Sequence, residues 1–195
     1  FRRVLFRSCN LTKRVLPNQY DRALEDGVGT EYVYDEMDEL ICRIDPLGNV
    51  FATPRDLEEN ISREIHPVSY DPKTGEGDGI CYVYDAEDRR IRIHYPDGGT
   101  ERIRYDAAGN ITKKTAPEQY DKETDDGPGY CYDYDCVSRL VQITDPQGQV
   151  VRRYVYDLCG NIVKEMDAAG YLAGTDDENR IGKLYTYNTV GWLDR

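Results

Sequence analysis

Helical periodicity, long apolar runs, tryptophan, histidine and surplus positive charge are all scarce in this 195-residue chain. No stretch keeps apolar residues at a 3.6-residue spacing over three turns, which argues against a helical bundle. No run approaches the roughly 18 apolar residues a membrane-spanning helix needs, so membrane insertion through a helix is not expected. With 25 Lys and Arg against 37 Asp and Glu, the net charge is −12. Nucleic-acid binders concentrate positive charge on one face, and an anionic membrane would repel this chain, so neither is an expected partner.

Two histidines, His66 and His94, and six cysteines, Cys9, Cys42, Cys81, Cys131, Cys136 and Cys159, are present without any CxxC pair. That spacing does not build a zinc site, and no metal or other cofactor is expected. Cys81 and Cys131 occupy one place in neighbouring repeats where Glu31 and Leu184 stand in the others. Such exchange reads as a tolerated strand position and not as a disulfide framework. The apolar share is 39%, and tyrosine dominates its aromatics, with 17 Tyr against 3 Phe and 1 Trp. A ring with a hydroxyl that can stay wet suits half-exposed sheet faces better than a thick dry core.

What the chain has in abundance is repetition. Tyr20, Tyr70 and Tyr120 are 50 residues apart, as are Pro17, Pro67 and Pro117, and Gly29, Gly79 and Gly129. Tyr32-Tyr34-Asp35 returns as Tyr82-Tyr84-Asp85 and Tyr132-Tyr134-Asp135, and Gly48 returns as Gly98 and Gly148. Period-searching therefore gives units 11–60, 61–110 and 111–161, with a looser fourth over 162–195. In the fourth, Ala168 replaces the proline, Tyr171 falls 51 residues after Tyr120, and Tyr185-Tyr187-Asn188 arrives two residues later still. Each unit has a short half and a longer half that carries an insertion, such as Pro117 to Gly129.

Inside the unit the period is two. Ile91, Ile93 and Tyr95 alternate with Arg90, Arg92 and His94, and Ile103 and Tyr105 alternate with Arg102 and Arg104, which predicts β-strands. Asp-Pro-Leu-Gly-Asn (45–49), Tyr-Pro-Asp-Gly-Gly (95–99) and Asp-Pro-Gln-Gly-Gln (145–149) place proline early and glycine two residues later, the composition of tight turns. Asp-Ala-Ala-Gly-Asn (106–110) and Asp-Leu-Cys-Gly-Asn (157–161), with Gly109 and Gly160, serve the opposite edge. The expectation is an all-β antiparallel meander of about 15 strands, six to eight residues each, whose twist makes a long sheet curl. Pattern alone leaves a coiled single sheet and a two-sheet sandwich equally open.

The ends depart from this composition. Phe1 to Ser8, FRRVLFRS, belongs to no repeat and resembles the translation of a sequencing-adapter end, so residues 1–8 are expected to be non-native and 9–195 to be the repeat region. The last residues, Trp192 to Arg195, stop within a repeat, so both ends are expected to be cuts, and the missing signal peptide says nothing of location.

The pattern Tyr-Asp-x-x-Gly-Asn, strand, Asp-Pro-x-Gly, strand, Tyr-x-Tyr-Asp resembles the RHS or YD-repeat proteins. YDAAGNI (Tyr105 to Ile111), DPLGNV (Asp45 to Val50) and YVYDLCGNIV (Tyr154 to Val163) carry the likeness, which covers 9–195. The resemblance implies a long spiral sheet forming part of a shell or barrel wall in a secreted or surface protein of a bacterium, often around a C-terminal toxic domain. Its partners would be the rest of the same polypeptide, further repeats and that C-terminal domain. In animals similar repeats form the barrel of cell-adhesion proteins. The repeat positions singled out as structural are Tyr34, Asp35, Gly48, Tyr84, Asp85, Gly98, Tyr105, Asp106, Gly109, Tyr134, Asp135, Gly148, Tyr156, Asp157 and Gly160.

Chemical readings compete poorly. The pairs Asp45-Pro46 and Asp145-Pro146 could suggest the family's aspartyl autocleavage, but they recur where turns are needed. The acidic insertion, with Asp121, Asp125 and Asp126, lacks the Asp-x-Asp-x-Asp-Gly order of a calcium loop and reads as a solvated loop. Gly-x-Gly precedes strands here, not helices, so no phosphate cradle is indicated. Neither histidine has a triad partner in view, and no catalytic residue is expected. Rows such as Tyr82-Tyr84 and Tyr132-Tyr134 leave carbohydrate binding by a surface adhesion module as the alternative to a purely structural role.

Overall fold

The computed structural model describes residues 3–7, 10–71, 73–188 and 190–194. It falls into two compact units, Phe1–Gly99 and Thr100–Arg195. The first contains β1 (Arg3–Arg7), β2 (Asn10–Val15), β3 (Tyr20–Asp21), β4 (Asp26–Gly27), β5 (Thr30–Tyr34), β6 (Leu40–Ile44), β7 (Val50–Ala52), β8 (Arg63–Ile65), β9 (Gly79–Tyr84) and β10 (Arg90–His94). The second contains β11 (Thr100–Tyr105), β12 (Ile111–Thr115), β13 (Tyr130–Tyr134), β14 (Leu140–Thr144), β15 (Val150–Tyr156), β16 (Ile162–Asp167), the helix α1 (Ala168–Leu172) and β17 (Lys183–Leu184).

In each unit the sheet strands are hydrogen-bonded in chain order, and every pair is antiparallel. Only β3 and β4 stand aside, as a two-stranded hairpin within the first insertion. The meander is as the two-residue period predicts. Several strands are shorter than the expected six to eight residues: β5, β6, β10, β12, β13 and β14 have five each, while β2, β9, β11 and β16 have six and β15 has seven. The reason is local: each hairpin surrenders five residues to its turn.

The same turns correct the expected faces of one strand. Register shifts between Arg90 and Arg92, so Ile93 lies opposite Tyr82 and His94 opposite Cys81, while Arg90 lies opposite Tyr84. Arg90 therefore leaves the face of Arg92 and His94, and its guanidinium sits 3.8 Å from the Tyr82 ring centre. Simple alternation fails there because a bulge inserts one extra residue and flips what lies beyond it.

The core is a thin layer beneath the insertions. Val15, Ile65, Thr115 and Met166 are the most buried side chains, one per repeat, each at the end of the strand that enters an insertion. The returning chain passes so close that a Cβ at Gly29, Gly79, Gly129 or Gly182 would collide with the carbonyl of Arg14, Glu64, Lys114 or Glu165. Burying an apolar side chain such as Val15, Ile65 or Met166 is worth roughly 1.5–3 kcal/mol.

Helix α1 was not legible as a period. The first three repeats carry proline at this place, and Pro117–Gln119 forms only a 3-10 turn. In the fourth, Ala168 removes that restriction and Asp167 caps the new helix, its Oδ1 accepting from the Gly170 amide at 2.8 Å. Even so, Gly182 and Met166 keep their stations, so the insertion changes form while its socket persists.

Candidate functional site: the tyrosine and aspartate turns

Among the described residues ten turns share one geometry. In each, the amide of the first residue donates to the carbonyl of the fifth, and the amide of the fourth donates to the carbonyl of the first: 35–39, 45–49, 56–60, 85–89, 95–99, 106–110, 135–139, 145–149, 157–161 and 188–192. The fourth residue always has positive φ. It is Gly48 (84°), Gly98 (90°), Gly109 (87°), Gly148 (81°), Gly160 (89°) and Gly191 (81°), but Asp38 (65°), Glu59 (67°), Asp88 (58°) and Ser138 (62°) elsewhere. Open space surrounds Gly48, Gly98, Gly109 and Gly148, so backbone conformation and not crowding favours glycine there.

In eight of the ten the leading residue is an aspartate, which closes the turn. Asp106 Oδ1 accepts from the amides of Ala108 and Asn110, both at 2.9 Å, and Oδ2 accepts from Asn110 Nδ2 at 3.0 Å. Asp85, Asp135 and Asp157 are held likewise, with Arg89, Arg139 and Asn161 supplying the outer donor, and Asp35 Oδ1 accepts from the amides of Met37 and Glu39. Hydrogen bonds to the charged form favour it. Thus Asn110 holds the Asp106 carboxyl below its ordinary range, as Asn161 does for Asp157 and Arg89 for Asp85, and at Asp135 the Arg139 amide leads.

Four of the tyrosines that precede these aspartates reach the other way. Tyr34, Tyr84 and Tyr134 donate from their hydroxyls to the carbonyls of Leu11, Ile61 and Ile111, each 23 residues back, at 2.9, 2.9 and 3.0 Å. Tyr156 does so to Leu140 and Tyr187 to Ile162. The pairing of β2 with β5 and of β12 with β13 registers only two residue pairs before the strands part, and the tyrosine hydroxyl serves the carbonyl beyond. Burial raises Tyr134 and Tyr156 above the ordinary phenol range, and Tyr82 is pushed up to about 12, by burial first and then by Glu64, whose Oε1 its hydroxyl meets at 2.9 Å. Tyr105 ends β11 and hands the chain to Asp106.

A further set of contacts escaped sequence reasoning. Asn60 Nδ2 reaches Asp88 Oδ1 at 2.9 Å and Asn110 Nδ2 reaches Ser138 Oγ at 3.0 Å, while Asn10 Nδ2 approaches the Asp38 carbonyl at 3.4 Å, all at a 28-residue interval. The non-glycine residues at positive φ thus lace one turn to the next on the same edge. That interval is present in the sequence as Asn10/Asp38, Asn60/Asp88 and Asn110/Ser138 and could have been found there.

At the opposite edge the insertions are held by charge. Arg104 and Lys113 face each other across β11 and β12, an unfavourable pair. Asp126 bridges them at 3.0 Å to each, and Arg102 pairs with Asp125 at 3.3 Å. At the fourth insertion Arg153 of the preceding unit pairs with Asp177 at 2.8 Å, and Lys164 Nζ meets the Asp177 carbonyl at 2.7 Å, although the loop is differently folded.

Asp125 and Asp126 of the acidic insertion pair with Arg102, Arg104 and Lys113 of its own sheet. His66 sits at a bend, engaged through its backbone to Asp78 and Ser69. One face of Tyr82 is covered by Arg90 and its hydroxyl is taken by Glu64, which removes the open platform a sugar would stack on.

Comparison with known proteins places this geometry. Residues 84–120 and 134–172 match the family model described as RHS Repeat. No curated protein sequence matches the chain. Among solved structures, that of TcdB2-TccC3-Cdc42 is similar over 93% of this chain at 13% identity, with a TM-score of 0.61. TcdB2-TccC3 without its hypervariable C-terminal region gives 14% and 0.61 over the same share, and the Photorhabdus luminescens Tc holotoxin pore gives 15% and 0.60 over 85%. At such identities the likeness is one of fold. This chain spans only 9–10% of the length of those chains.

Proposed function

The chain carries RHS repeats, and from that premise we propose that it forms a length of wall in a larger bacterial β-shell that encapsulates or displays a C-terminal, toxin-like domain. The observation that carries the reading is the turn itself. Ten repetitions of one hairpin closure among the described residues, five of them begun by a tyrosine–aspartate pair at the YD edge, make an architecture that can be extended without changing its parts. Such quasi-one-dimensional folds stack identical units, each contacting its neighbours.

Its chemistry supports a wall more than a catalyst. Aspartates that would otherwise attract attention are consumed by turn amides, and the tyrosine hydroxyls by strand carbonyls. The fold likeness to toxin-complex structures supports a secreted or surface location, with the rest of the same polypeptide as the principal partner. Protease protection tests this. In the complete gene product, the C-terminal domain should resist a protease concentration that digests the same domain expressed alone. Equal digestion of both would contradict encapsulation.

A further inference from the structure

Three basic residues surround one cysteine in the ladder of the first unit. Arg63 on β8 and His94 on β10 each lie directly opposite Cys81 of β9. Residues directly opposite in an antiparallel pair share a face, with Cβ atoms about 4.5–5.5 Å apart, so Cys81 stands between a guanidinium and an imidazole. Arg92, opposite Val83, is the diagonal neighbour on that face. All of these residues are half-buried, and Cys81 is a free cysteine. Glu76 of the second insertion, at the place of Asp126 in the third, is exposed.

The other repeats show what this station accepts. In the first, Glu31 holds it, and its Oε1 lies 3.5 Å from Nζ of Lys13, the residue opposite. An anion is therefore accommodated there. In the third, Cys131 has the same place and the same orientation, its Sγ donating to the Gly129 carbonyl at 3.8 Å as Cys81 Sγ does to Gly79 at 4.0 Å. Its surroundings differ. Lys113 and Thr144 lie opposite it, and Gln142 and Asp133 stand where the second repeat has Arg92 and Val83. The Lys113 ammonium is already joined to Asp126 at 3.0 Å. The two thiols are thus alike in backbone setting and unlike in surrounding charge.

We propose that Cys81 is a modification site that exchanges with anionic low-molecular-weight disulfides, with Arg63, Arg92 and His94 receiving the incoming negative charge. The proposal stands on this cross-strand row and does not require that the chain form a shell wall. In the exchange the Cys81 thiol gives its proton to the His94 imidazole, its sulfur attacks one sulfur of the disulfide, and the S–S bond breaks. The leaving thiolate takes that proton back from His94. One mixed disulfide on Cys81 and one free thiol result, the Cys81 sulfur being oxidised and the leaving half reduced, with no further reactant. Carboxylates on the incoming disulfide are drawn by the cations as the Glu31 carboxylate is drawn by Lys13.

Reaction of the reduced full chain with glutathione disulfide at neutral pH, followed by mass spectrometry of the peptides that carry Cys81 and Cys131, tests this. Cys81 should be modified about tenfold or more faster than Cys131. With uncharged hydroxyethyl disulfide the preference should fall to about threefold or less, because no charge is left to attract. High salt should shrink the first ratio toward the second. His94→Gln should slow the reaction of Cys81 with glutathione disulfide about fivefold, while Cys131 in the same molecules keeps its rate and so reports an intact fold. Val83→Asp, which gives Cys81 the acidic neighbour that Cys131 has in Asp133, should slow it likewise. Equal rates at the two cysteines, a preference indifferent to the charge of the disulfide, or a His94→Gln variant as fast as the parent would overturn the proposal.

Discussion

The hydroxyl of Tyr84 donates to the carbonyl of Ile61 at 2.9 Å, and this one bond ties the end of β9 to the chain just ahead of β8 where their ladder has run out. The same bond recurs from Tyr134 to Ile111. Replacing either tyrosine by phenylalanine removes the donor but keeps the ring. Each variant should lose about 1 kcal/mol in urea-denaturation midpoint experiments at unchanged slope, the typical net worth of such a bond. A loss within error at both positions would show that the hydroxyl only decorates the edge.

The turn conformation offers a test with the opposite sign. Glu59 holds positive φ without the lacing contact that Asp88 and Ser138 provide. Glu59→Gly should therefore stabilise by about 0.5–1 kcal/mol, whereas Gly109→Ala should destabilise by about 1 kcal/mol or more. Thermal melts of the two variants, side by side, decide the matter.

Acid should unfasten the turns. The carboxyls of Asp85, Asp106, Asp135 and Asp157 lie below their ordinary range in the folded chain. A group with a depressed folded pKa binds fewer protons folded than unfolded, so its contribution is full above the unfolded value of about 3.9 and disappears as pH falls through the folded value. Stability should hence be flat from neutrality to about pH 5 and decline steeply below about pH 4. Asp106→Asn should shallow that decline, as monitored by denaturant midpoints across pH; an unchanged slope would remove the turns as its cause.

At the third insertion, Asp126 neutralises Arg104 and Lys113, which face each other across the strands. Asp126→Asn leaves that pair unscreened and should cost about 1 kcal/mol, a modest figure because Arg104 is more than a third exposed. High salt should shrink the difference between variant and parent. A salt-independent loss would point to packing instead of charge.

Much of this fold was legible because its signals are local. Alternation around Ile91 and Ile103 marked the strands, and Gly48, Gly98 and Gly148 marked turns whose positive φ the structure shows. The side of Arg90 was not legible, since a bulge set by the turn at 85–89 overrides alternation in the strand that follows. Helix α1 escaped because it is one turn long, below the length at which a 3.6 period is visible, and rests on a single cap at Asp167. The tyrosine bond to a carbonyl 23 residues back escaped for another reason: it joins side chain to backbone, and backbone leaves no mark in sequence.

The central claim, that these repeats are wall, is tested most directly by electron cryo-microscopy of the complete gene product. The account predicts residues 84–120 and 134–172 within a continuous curved sheet that surrounds density for a C-terminal domain. Finding the same residues in an open arm with solvent on both faces and nothing enclosed would contradict it.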